Sequence, residues 1–169
     1  MNVFEHTLFS VWGYPLSVLE FLAVLTGLAA VYLASKAKSV NFIFGMINNV
    51  LYFTLFFRFH LYSMMLLQVV YFIFSAYGFY RWKHPKGNQA DEKNEQQIRL
   101  LQWKSRIIYF IAIIVAGILW GYAVINLQSR FPEYFDPPAY PLLDAVLTMA
   151  SVAGQWLLSN KYFDNWPLW

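Results

Sequence analysis

Five nearly continuous apolar stretches run through this chain, at residues 15–35, 41–57, 61–82, 107–126 and 141–158. Each is close to the roughly 20 residues that a helix needs to cross bilayer hydrocarbon. No water satisfies backbone groups there, so a segment of this length crosses as a helix that bonds its own N–H and C=O groups. The expected class is an all-α integral membrane protein. Composition agrees, since 59% of residues are apolar and only 12% charged, outside the range of a soluble domain. There is no cysteine, which excludes disulfides, thiolate catalysis and cysteine metal sites. His6, His60 and His84 lie apart in the flanks of spans, and no paired carboxylates occur at depth. An enzyme is therefore not expected, and no cofactor or metal is called for.

Basic residues orient the spans. Arg81, Lys83, Lys86, Lys93, Arg99, Lys104 and Arg106 flank or fill the segment between the third and fourth stretches, which places that loop in the cytoplasm. Counting crossings, Lys36, Lys38 and Lys161 join them inside, and only Arg58 and Arg130 fall outside. The N-terminus is then external. The net charge of +3 follows from this topology, so no nucleic-acid partner is inferred. The first residues lack the basic region of a cleavable signal, so the first span is expected to be retained.

The resulting organisation is an N-terminal interfacial segment at 1–14, with residues 1–12 read as a short interfacial helix. Three spans follow at 15–82, then a cytoplasmic linker at 83–106, helical toward its end. A connecting span at 107–126 and an external loop at 127–140 lead to a last segment, 141–169, where a sixth apolar stretch opens near Asn165. The chain also repeats itself. Residues 20–41 (EFLAVLTGLAAVYLASKAKSVN) align without a gap on residues 144–165 (DAVLTMASVAGQWLLSNKYFDN). Acid meets acid, Tyr32 meets Trp156, and Ser35 meets Ser159. Two copies of a three-helix unit in the same orientation need one extra crossing between them, which 107–126 supplies, with Tyr122 as its one interior polar group. Parallel repeats of this kind belong to small transporters.

Polar side chains at depth are the functional candidates, because an unpartnered amide in hydrocarbon costs a few kcal/mol, of order 2–7. Asn48, midway along the second stretch, is a candidate to read a ligand amide or hydroxyl; the alternative is a hydrogen bond between helices. Asn49 points about 100° away from it. Gln68, Tyr71 and Ser75 share one helical face, as a polar lining or as a helix seam. Thr148, Ser151 and Gln155 share another, and the two hydroxyls have the option of bonding back to their own helix. Glu20 and Asp144 sit near span starts, as proton-coupling groups or as acids favoured by the helix dipole.

Two runs, LYSMMLLQVVYFIFSAYGFYRW (61–82) and DAVLTMASVAGQWLLSNKYFDNWPLW (144–169), resemble the bacterial nicotinamide riboside transporters of the PnuC family. The resemblance rests on Leu-Tyr-x-x-Met-x-Leu-Gln, on Ser-x-Tyr-Gly-x-Tyr-x-Trp, and on Asn165-Trp166 with Trp169. It covers the chain from about Pro15 onward, except the linker. It implies a 3+1+3 helix architecture related to sugar-efflux transporters, a homotrimer in the bacterial inner membrane, and no bound cofactor. It also implies facilitated diffusion of nicotinamide riboside for NAD biosynthesis, a route of vitamin uptake, with trapping by a cytoplasmic riboside kinase. Asn48, Gln68, Tyr71, Ser75, Thr148, Ser151, Gln155 and Asn165 would contact substrate, and Trp166 and Trp169 would clamp its flat cationic ring. The alternative role for those tryptophans is an interfacial belt. Three departures stand out. Phe42 and Ile43 replace a Trp-Pro pair before Gly45, Met64 stands where an acid often precedes the methionine, and the second repeat stops as its second helix begins. Transport of another vitamin, such as thiamine, is the alternative on this scaffold, and a non-transporting membrane subunit is a third.

Overall fold

A computed structural model describes residues 7–11, 14–59, 61–84, 97–131 and 140–168. The protein is nearly all helical, and every predicted span is a helix. These are α1 (Val18–Ser35), α2 (Asn41–Arg58), α3 (Tyr62–Lys83), α4 (Trp103–Arg130) and α5 (Pro141–Ser159), followed by a short 3-10 helix, Phe163–Leu168. Of these, α1, α4 and α5 are long and apolar enough to cross a membrane. The asparagines of α2 and the tyrosines and terminal cations of α3 dilute their hydropathy. Large apolar residues such as Leu28, Val31, Ile108, Phe110, Leu119 and Leu147 are exposed, the reverse of a water-soluble fold and the arrangement that a lipid solvent allows.

Before α1, residues 7–11 of the segment expected as an interfacial helix are strand, and the rest of that segment, residues 1–6 and 12, lies outside the described residues. Residues Thr7–Val11 (β1) and Tyr14–Ser17 (β2) pair as an antiparallel hairpin. Thr7, Phe9 and Val11 favour strand, and Pro15 cannot donate to a helical ladder. Helix α1 consequently begins at Val18 rather than at residue 15. Ser17 caps it: the Glu20 N–H donates to Ser17 Oγ, while the Ser17 N–H and Oγ–H both donate to the Glu20 carboxylate at 2.8 Å. This reciprocal cap answers orphan N–H groups at the helix start and assigns Glu20 a structural role.

The chain divides into two compact units, Met1–Phe79 and Tyr80–Trp169. In the first, α1 and α2 run antiparallel around Leu19, Ala23 and Leu55, with Leu51 and Tyr52 packed against them. Further along, Gly27 lies under Asn48. In the second, α4 and α5 cross at glycines. A Cβ on Gly117 would lie 2.7 Å from the Val146 Cα, and one on Gly121 would lie 2.8 Å from the Leu142 Cδ2. The run GILWG therefore gives the connecting span a packing face of small residues, and α4 is longer than the expected 107–126.

Candidate functional site

Helices α1 and α5 end in the same way. At the first turn the Ala37 N–H donates to Ala34 O (2.9 Å) and the Lys38 N–H to Leu33 O (3.0 Å). At the second the Lys161 N–H donates to Leu158 O (2.9 Å) and the Tyr162 N–H to Leu157 O (3.0 Å). This bond pair closes a helix through a left-handed residue, and Ala37 (φ 50°) and Lys161 (φ 59°) are the non-glycine residues so placed among the described residues. The hydroxyls of Ser35 and Ser159 bond back to Tyr32 O and Gln155 O. Buried Asn41 donates from Nδ2 to Lys38 O at 2.6 Å. Buried Asn165, with its amide oriented to satisfy both ends, donates to Tyr162 O at 2.7 Å. The backbone pairs and the asparagine bonds match in the gapless register read from the sequence, and the two serines align although Ser35 reaches three residues back and Ser159 four.

The polar candidates separate by what they bond. Asn48 donates to Ala23 O at 2.6 Å and to Thr26 Oγ1 at 3.3 Å, joining α2 to α1, so its nitrogen holds a helix seam. Gln68 is partly buried on α3 and makes no hydrogen bond to another described residue. Tyr71 is partly buried and Ser75 almost fully so; both are engaged by neighbours. Ser75 Oγ would lie 3.5 Å from a Cβ on Gly45, so α3 approaches α2 there.

On α5 the comparison among hydroxyls is informative. Thr26, Ser35, Thr54, Ser129 and Ser159 all bond back to a carbonyl three or four residues earlier. Thr148 and Ser151, both partly buried, make no such bond to a described residue. Gln155 is buried and engaged. Trp166 is partly buried on the 3-10 helix; Trp169 and the start of the chain through residue 6 lie outside the described residues.

Sequence reasoning missed the surroundings of the second turn. Lys161, counted above as a loop cation, is 5% exposed and its Nζ sits 4.6 Å over the Trp82 ring. Trp82 is buried and donates from Nε1 to Leu158 O at 3.1 Å. Within the linker, residues 97–102 are not helical, and the expected helix at its end is the start of α4 at Trp103. The Arg99 N–H donates to Lys161 O (3.0 Å) and the Phe163 N–H to Arg99 O (2.9 Å). Trp82 closes the Ser-x-Tyr-Gly-x-Tyr-x-Trp motif, the one available signal for this contact.

Comparison with known proteins places this geometry. The nicotinamide mononucleotide transporter family matches residues 17–169. The chain belongs to that family. The nicotinamide riboside transporter PnuC of Escherichia coli K12 is 31% identical, over 99% of this chain and 76% of its own length. That of Neisseria mucosa is 29% identical, over 92% of this chain and 56% of its own length. A crystal structure of the vitamin B3 transporter PnuC superposes with a TM-score of 0.65 at 26% identity, covering 89% of this chain and 61% of that one. The chain is thus a PnuC-family, multi-pass membrane protein, spanning about three fifths of the solved relative.

Proposed function

We propose that this PnuC-family protein carries nicotinamide riboside across the bacterial inner membrane by facilitated diffusion, with its N-terminus outside. Cytoplasmic phosphorylation by a riboside kinase then keeps the cargo in the cell for NAD biosynthesis. The observation that carries the reading is chemical. Within otherwise apolar helices, Gln68 on α3 and Thr148 and Ser151 on α5 leave an amide and two hydroxyls unbonded to other described residues, where burial without a partner is unfavourable. A ribose and a carboxamide offer the donors and acceptors these groups lack. Ser75, Tyr71 and Gln155 extend the same faces, and Trp166, with Trp169, would cover a cationic aromatic ring. Asn48 and Asn165 contribute by holding the seam and the turn that present these groups. The matched turns support a parallel repeat and the 3+1+3 architecture, and the homotrimer is proposed from the resemblance to the family alone.

Uptake of labelled nicotinamide riboside and of thiamine into proteoliposomes tests the reading. Saturable riboside uptake that equilibrates without an ion gradient is expected. Thiamine uptake without riboside uptake would move the protein to the alternative vitamin. Gln68→Ala should weaken riboside binding tenfold or more, about 1.4 kcal/mol, with assembly unchanged.

A further inference from the structure

The second turn carries a set of contacts that the first does not have, and they converge two residues before Trp166. Asp164 opens the 3-10 helix. Its Oδ2 accepts from the Leu101 N–H at 2.7 Å and its Oδ1 lies 2.7 Å from Arg106 Nε. The carboxylate is 14% exposed and the Arg106 side chain 44%, so the acid end is largely shielded from water. Upstream, Arg99 bridges the backbone on both sides of Tyr162 and its guanidinium lies 5.3 Å from the Tyr162 ring. Lys161 rests on Trp82. Four successive residues, 161–164, are thereby held by Trp82 and by residues 99–106.

A six-residue 3-10 helix with Pro167 inside it has poor hydrogen-bond geometry and little stability of its own. The aligned segment of the first unit has no such need, because it continues into the 18-residue helix α2. There Ala37 stands in place of Lys161 and Val40 in place of Asp164.

We propose that residues 99–106 and Trp82 form a clasp that sets the position of Trp166, with Asp164 as its central positioning residue. This rests on the assignment of Trp166 to the riboside ring and deepens it, by making the linker between α3 and α4 part of the substrate machinery. Asp164 acts through Trp166 and touches no substrate itself. The backbone bridge at Arg99 fixes the height of the turn, and the two bonds of Asp164 fix the rotation of the helix that carries the indole.

The test uses the whole protein in detergent and in proteoliposomes. Asp164→Ala should raise the riboside KM and Kd tenfold or more while the maximal uptake rate changes by less than about threefold. Asp164→Asn, which keeps an acceptor for Leu101, and Arg106→Lys, which keeps the charge, should each recover part of the affinity. Should Asp164→Ala fail to fold, Arg106→Gln removes the pair from its more exposed side and should raise Kd at least threefold. In hydrogen exchange the amides of Leu101 and Phe163 should be protected and lose protection together in Asp164→Ala. Unchanged Kd per folded molecule in all variants, alongside a lower melting temperature, overturns the proposal and leaves a purely structural clasp. Unprotected Leu101 and Phe163 amides in the unmodified protein overturn it as well. Absence of riboside binding by the unmodified protein defeats the transport reading itself, and is thereby told apart from failure of the clasp alone.

Discussion

The turn after α1 and the turn after α5 are drawn with one backbone and fastened in two ways. Both have the same bond pair, the same left-handed residue, the same serine bonded back, and the same buried asparagine. The first unit then relies on its helices. Asn48 reaches across to the Ala23 carbonyl, and α2 runs on for 18 residues. The second unit relies on outside support, since α5 lies on bare glycines of α4 and its turn is gripped by Trp82, Arg99 and Leu101. The difference teaches where specialisation sits. The turn geometry is common to both units, and the side chains that surround it are not.

Four substitutions probe that contrast. The largest effect is expected at Gly117→Val, because even one Cβ would lie 2.7 Å from the Val146 Cα and backbone cannot be moved aside as a flexible side chain can. Overpacking of this kind costs about 3 kcal/mol, and detergent unfolding should show the second unit losing stability while amide protection in α1 and α2 is retained. Next is Asn48→Leu, which removes the side-chain hydrogen bonds from Asn48 on α2 to Ala23 O and Thr26 Oγ1 on α1. Polar contacts between membrane helices contribute about 1–2 kcal/mol in peptides and less in whole proteins. A loss of about 1 kcal/mol, with the second unit unaffected, is expected; a change in riboside affinity at constant stability would instead make Asn48 a ligand residue. The smallest and most diagnostic effect is a pair. Ala37→Gly relieves a left-handed alanine, a conformation that costs L residues about 1–2 kcal/mol, and should stabilise by up to about 1 kcal/mol after the added chain entropy of glycine. Lys161→Gly relieves the same strain but removes a desolvated cation from the Trp82 ring, worth about 2 kcal/mol, and should destabilise. Equal signs at the two positions would remove the distinction between the turns.

Much of this was legible in the residues. Five apolar runs predicted five helices, and a gapless register between residues 20–41 and 144–165 anticipated the matched turns, because hydrogen-bond geometry at a helix end depends on neighbours in sequence. Asn48 was legible as a polar group at depth, as a ligand residue or a seam residue, but its seam partner was not legible. Its partner is a backbone carbonyl 25 positions away, and carbonyls carry no sequence signature. Lys161 read as a topological cation, since burial beneath Trp82 requires the end of α3 to be brought to the end of α5. The hairpin before α1 was missed because an interfacial helix and a short strand share the same aromatic and β-branched residues. The glycines of α4 do form a small-residue pattern, but only the facing Val146 and Leu142 show that it is occupied.

The sequence by itself determined the solvent, the five long α-helices, and the duplicated helix ending, because lipid admits few backbone solutions and local bonds are encoded locally. Tertiary structure alone decided which polar groups are bonded to other described residues and which are not. It also decided that the linker end grips the tryptophan-bearing segment, since those outcomes depend on distances between residues far apart in the chain.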